Sequence, residues 1–155
     1  MKNIRLSGLL LALLFWIGSP ILAQEGGAAA AEAPKAFFQA VNAQDFGTAW
    51  GLMTEASKNR ISTLLSEETK LSVPEQRALF DNNDPKVQTQ FWNDFRESSK
   101  ANLYVGFTYT YGGPGEDGLE VVKVSAPQAT EGQTIDLFVK NEGGYKFGLV
   151  ETFKI

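Results

Sequence analysis

The stretch TIDLFVKNEGGYKFGLVETF, Thr134–Phe153, decides the fold class. Ile135, Leu137 and Val139 alternate with Thr134, Asp136, Phe138 and Lys140, which is the period of a strand with one apolar face. Asn141-Glu142-Gly143-Gly144 is the chemistry of a hairpin turn. Alternation resumes at Tyr145, so the pattern predicts a second strand over Tyr145–Phe153. That parity puts Glu151 on one face with Tyr145, Phe147, Leu149 and Phe153. Asp136 falls on the opposite face, at solvent or a dimer surface.

Working toward the N-terminus, the same period of two recurs. Leu103, Val105, Phe107, Tyr109 and Tyr111 alternate with Tyr104, Gly106, Thr108 and Thr110, so a strand is expected there. Gly112-Gly113-Pro114-Gly115-Glu116-Asp117-Gly118 reads as a flexible hairpin loop. Leu119–Ala126, rich in valine, is a further strand, and Pro127–Gln133 is a loop. Four strands in this order make an antiparallel meander.

Before Lys100 the period is helical. Pro34 suits a first helical turn, and Phe37, Phe38 and Val41 follow at helical spacing. Asp45 is an N-cap candidate for a helix whose apolar face holds Ala49, Trp50 and Met53. Gly47 and Gly51 leave a bare strip there, read as the site of a tight helix crossing. The pattern continues through Ile61, Leu64 and Leu65. Pro74 starts a short helix carrying Ala78, Leu79 and Phe80. Asp84 and Pro85 open the clearest amphipathic helix, with Val87, Phe91 and Phe95 four residues apart and Trp92 beside them. Helices followed by a meander predict an α+β domain, the N-terminal helices packed on a curved four-stranded antiparallel sheet.

The first 23 residues have the layout of a secretory signal: Lys2 and Arg5, an apolar run over Leu9–Ile17, a break at Gly18-Ser19-Pro20, and a small residue at Ala23. The run falls short of the about 20 residues a membrane span needs, and the Pro20 break and Ala23 ending put cleavage ahead of the alternative, an uncleaved N-terminal anchor. Cleavage after Ala23 removes 23 of 155 residues and leaves 132, enough for one domain. Lys2 and Arg5 leave with the signal, taking the net charge from −4 to −6. Residues 24–33, with Gly26, Gly27 and an alanine run, read as a flexible lead-in. Residues 34–155 are then the single domain. The expected localisation is periplasmic or secreted, with no stable membrane span after cleavage.

The chain has no cysteine and no histidine. A thiolate nucleophile, every Ser-His or Cys-His relay, and any His-ligated zinc or iron site are therefore excluded. A metal could bind only through oxygen, and no Asp-rich calcium loop is present. No phosphate loop is present either, since the GGPGEDG segment leads to a strand and not to a helix. The acidic charge with scattered Lys and Arg argues against nucleic acid as a partner. No cofactor is implied.

The segments AFFQAVNAQDFGTAW (36–50), FWNDF (91–95) and the closing hairpin together resemble the NTF2-like superfamily of cone-shaped α+β domains. The resemblance covers about Pro34–Ile155 and includes small secreted bacterial members. It implies a cone with a cavity at its open end. Enzymes of that superfamily typically carry a polar set of Asp, His, Tyr or Arg inside the cone, and the absence of histidine prevents that set from being carried over whole. Non-enzymatic relatives use the cavity for ligands or the sheet for dimer contacts.

The ligand-pocket candidates are Phe37, Trp50, Phe91, Trp92, Phe95, Tyr109, Tyr111 and Glu151. The competing reading of the aromatics, Phe38 included, is that they fill the cone as core. Trp is seldom fully buried, so at least one of Trp50 and Trp92 is expected near a cavity rim or the surface. Glu151 facing inward would be a general acid, a base or a ligand anchor. A bulge that turns it to water, or pairing with Lys or Tyr, is the alternative. Tyr109 and Tyr111 would supply hydroxyls at a pocket mouth or bond to backbone. The expected function is a non-enzymatic module that binds a small apolar ligand in its cone or a protein partner through its sheet. The alternatives are a His-free lyase or isomerase using Glu151 with Tyr109 or Tyr111, and a structural dimerisation module.

Overall fold

Alanines set the first element. In the computed structural model, which describes residues 20–155, helix α1 runs Pro20–Asn42 without a break, and Pro34 lies inside it. Ala30, Ala31 and Ala33 are buried, with Ala30 fully so. Their small side chains let the helix lie close against the sheet and the helices beside it. The expected lead-in at 24–33 is thus helical. The expected signal peptide lies outside the described residues up to residue 19, and the cleavage point after Ala23 falls within α1.

Five further helices precede the sheet. Asp45 caps α2 (Phe46–Gly51), its carboxylate accepting the Thr48 N–H at 3.2 Å. Thr54 caps α3 (Glu55–Thr69) in the same way, through the Ser57 N–H. Helix α4 (Val73–Asp81) opens with a capping box between Ser72 and Glu75, and Pro74 stands in its first turn. Helix α5 (Pro85–Ser98) begins at Pro85 as expected. A one-turn helix, α6 (Ala101–Tyr104), then leads to the strands. Of the two glycines expected at a helix crossing, only Gly47 has a close neighbour, the Asn83 side chain, and Gly51 faces open space.

The sheet is β1 (Thr108–Pro114), β2 (Leu119–Ser125), β3 (Ile135–Asn141) and β4 (Tyr145–Phe147), antiparallel throughout and in the order β1-β2-β3-β4. A bulge between Tyr111 and Gly113 lets β1 continue to Pro114. Val122, Val124, Leu137, Val139 and Phe147 form the buried inner face. The molecule is therefore α+β, helices packed on a curved, open four-stranded sheet.

Two strand boundaries differ from expectation. Leu103 and Val105 do not alternate in a strand. Tyr104 stacks on Phe38 with ring centroids 4.2 Å apart, which holds residues 101–104 as a helical turn and leaves Leu103 54 % exposed. The fourth strand stops at Phe147. Gly148 then caps α7 (Leu149–Phe153), whose backbone folds back onto β3: the Gly148 N–H reaches Phe138 O at 2.8 Å, and Thr152 Oγ1 accepts the Phe138 N–H at 3.0 Å. Among the described residues no helix is long and apolar enough to cross a membrane.

Candidate functional site

The space between helices and sheet is filled by the protein's own rings. Phe37 touches Phe38, Trp92, Phe95 and Phe147, at centroid separations of 5.3, 6.0, 5.9 and 4.7 Å. Phe37, Phe38 and Trp92 are fully buried and Trp50 is 3 % exposed. The expectation that one tryptophan would reach a rim is therefore corrected. Trp92 is enclosed by Phe46, Phe91 and Phe95, while Trp50 is sealed beneath α4 by a stack on Phe80. Edge and stacked ring pairs of this kind add about 0.5–1.5 kcal/mol each beyond burial, so the rings cohere as a core. Trp92 Nε1 and Gln88 Oε1, one turn apart on α5, are buried without partners among the described residues.

Glu151 sits on α7 and not in a strand. Its Oε2 accepts a 2.8 Å hydrogen bond from Ser57 Oγ, and its Oε1 accepts one from Thr54 Oγ1 at 3.2 Å. Ser57 Oγ also accepts the Val150 N–H at 3.1 Å. Thr54 and Ser57 are fully buried, and Glu151 is half-buried. Gly148 makes this approach feasible, because a methyl group there would lie 2.9 Å from Glu151 Oε2 and 3.1 Å from Phe138 O. The carboxylate is held by hydroxyl donors, and its geometry is that of a clasp between α7 and the start of α3.

The two candidate tyrosines lie elsewhere. Tyr109 donates from its hydroxyl to Tyr104 O at 2.8 Å, and burial pushes its phenol well above the ordinary range. Tyr111 is 37 % exposed and rests against Gly27 of α1. Burial and hydrogen bonding to Glu120 raise its pKa. Glu120 also accepts the Tyr145 hydroxyl at 2.8 Å, and that bond is the main reason the Tyr145 phenol is pushed up to about 12. Sequence reasoning missed this Tyr111–Glu120–Tyr145 cluster. Its signal was present, since Glu120 shares strand parity with Val122 and Val124. Glu151, Tyr109 and Tyr111 thus occupy three separate places and form no common site. Asp136 is exposed on the outer face, paired with Lys123 at 3.1 Å.

Two surface features remain. One is a groove of about 490 Å³ between α3 and α5, bordered by Leu65 and Glu68 on one wall and Phe91, Asp94 and Phe95 on the other. An adjoining pocket of about 190 Å³ shares Leu65, Glu68, Phe91 and Phe95 with it and also touches Ile61 and Leu149. Phe91 and Phe95 are thus the candidates that do line a concavity, although it lies outside the cone. The other feature is the outer edge of β1. The opposite edge of the sheet is closed, because Phe147 N–H bonds Leu52 O at 2.7 Å and Thr54 N–H bonds Phe147 O at 3.0 Å. Among the described residues nothing pairs with the outer edge of β1. Comparison with protein-family models, curated proteins and solved structures returns no match for this chain.

Proposed function

We propose that this chain is an exported, non-enzymatic interaction module with NTF2-like kinship, and that its binding element is the free edge of β1. The occupant is β1 of a second copy, added antiparallel so that two sheets become one. The observation that carries this reading is the unpaired, uncharged edge. Exposed edge strands are normally blunted by charge, by Pro or by bulges, because their free N–H and C=O groups recruit other strands. In TYTYGGP the bulge and Pro114 block only the far end, leaving Thr108–Tyr111 open. A two-fold antiparallel pairing centred on Thr110 sets Thr opposite Thr and Tyr opposite Tyr, and brings no like charges together.

The filled core argues against a ligand inside the cone. Dispersal of Glu151, Tyr109 and Tyr111 argues against the lyase or isomerase reading. Export rests on the layout of the first 23 residues. A chain beginning at Gln24 keeps Gly26 and Gly27, which α1 uses against Tyr145 and Tyr111.

Sedimentation velocity tests the edge. The wild type should sediment as a concentration-dependent dimer, and Thr110→Lys, which places like charges across the two-fold, should sediment as a monomer with unchanged melting. A monomeric wild type, or a dimer untouched by Thr110→Lys, overturns the reading.

A further inference from the structure

The groove between α3 and α5 has a chemistry of its own. Its apolar lining is Leu65, Phe91, Phe95 and Ile155, and Ile155 is 47 % exposed. Its volume of about 490 Å³ is within the range of small-molecule sites, about 300–1,000 Å³. The charged side chains that line it are Glu68 and Asp94, one from each wall, and neither lysine nor arginine lines it. Like Glu67 and Glu97 on the same two helices, these two carboxylates are exposed. Glu68 and Asp94 enter no ion pair among the described residues. Phe91, half-buried on the α5 wall, adds an aromatic ring to the same lining.

An apolar trough with two unpaired carboxylates and an aromatic wall matches one ligand class. The apolar lining takes a hydrocarbon body. The carboxylates and the ring attract an ammonium head, by charge and by the quadrupole of the ring. An anionic amphiphile would bring its head against both carboxylates. We propose that this groove is a binding site for cationic amphiphiles, molecules with a single ammonium group on an alkyl or aryl body.

Calorimetric titration of the full chain with dodecyltrimethylammonium, below its micelle concentration, tests the site. Saturable binding of one molecule per chain is expected, with dodecyl sulfate binding more weakly. The double variant Glu68→Gln, Asp94→Asn should weaken binding about fivefold, the sum of two partly solvated charge contacts. Glu116→Gln, Asp117→Asn, which removes the same charge from the exposed β1–β2 loop, should leave it unchanged. Binding without saturation, equal affinity for the sulfate, or an equal loss in both double variants would overturn the assignment, the last by showing attraction to net charge alone.

Discussion

Ser57 Oγ donates a 2.8 Å hydrogen bond to Glu151 Oε2 across 94 positions of sequence. With Thr54 on the other oxygen, it fixes α7 to the first turn of α3. Because Ser57 is fully buried, removing its hydroxyl strands the Val150 N–H as well as a carboxylate oxygen. Ser57→Ala should cost about 1–3 kcal/mol in denaturant unfolding. Glu151→Gln keeps one acceptor and loses the other, so it should cost about 1 kcal/mol. A stabilised Glu151→Gln protein would mean that the carboxylate is strained in place and not satisfied by its donors.

Arg77 ties three helices together. Its guanidinium bonds Asp81 through Nε at 3.0 Å and Glu55 through Nη2 at 3.0 Å, and it lies 5.5 Å above the Trp50 ring. Trp50 Nε1 donates to the same Asp81 at 2.7 Å. Burial pulls the Asp81 carboxyl upward, but the bonds from Trp50 and Arg77 with the nearby charges hold it below its ordinary 3.8. Lys58 and Arg77 hold Glu55 below its ordinary 4.5. Lowered folded values mean stability that is present above the unfolded values and lost as pH falls through the folded ones. Arg77→Ala should therefore cost about 1–2 kcal/mol at neutral pH, discounted for half-exposed partners. That deficit should shrink in acid, which unfolding curves at neutral and acidic pH would measure. A constant deficit would assign the loss to packing over Trp50.

These two clasps also separate what the sequence carries from what it does not. Asp45, Ser72 with Glu75, and Pro85 act within one helical turn, so the helix starts are legible from local chemistry. The meander is legible from its period of two and its glycine turns. The failures all have distant causes. Tyr104 is helical because Phe38 lies beneath it, and the chain turns at Gly148 because α7 bonds to Phe138 and to Ser57. The alanine run of α1 reads as a tether until a sheet is laid against it. Of the candidate site, the aromatics were legible as core, while the groove needs α3 and α5 side by side before it exists. Glu120 was legible by parity, but not its two tyrosine partners.

Alkaline pH should act through the tyrosines. All four have pKa values above the ordinary 10.0: Tyr104 and Tyr109 by burial, Tyr111 by burial and Glu120, and Tyr145 mainly by its bond to Glu120, to about 12. A raised folded value contributes stability that is intact below the unfolded pKa and lost as pH rises through the folded one. The fold should hold to about pH 10 and weaken between about 10 and 12. Tyrosinate absorbance, followed with circular dichroism, should rise only as structure is lost. Glu120→Gln removes the charge that disfavours the Tyr145 phenolate and should bring part of that absorbance to lower pH. Free titration of all four tyrosines near pH 10 in the folded protein would contradict the geometry.

Gly27 and Tyr111 should show opposite effects of the same methyl group. A methyl at position 27 would lie 2.9 Å from Tyr111 Cδ1 and 3.3 Å from its Cβ, so the ring cannot escape by rotating its tip. Alanine in mid-helix is otherwise favoured over glycine by about 1 kcal/mol. Gly27→Ala in the wild type sets that gain against overpacking, which costs about 1–3 kcal/mol, so a net loss of about 1 kcal/mol is expected. In a Tyr111→Ala background the ring is gone and helix propensity acts alone. The same Gly27→Ala change should then stabilise by up to about 1 kcal/mol. The difference between the two backgrounds is the coupling energy, about 2 kcal/mol, measurable from a double-mutant cycle of unfolding curves. A coupling near zero would mean that α1 does not rest on β1 at this point. Propensity alone would then give a gain in both backgrounds. A coupling of the expected size would establish the packed helix at residues 24–33 that composition alone reads as a flexible lead-in.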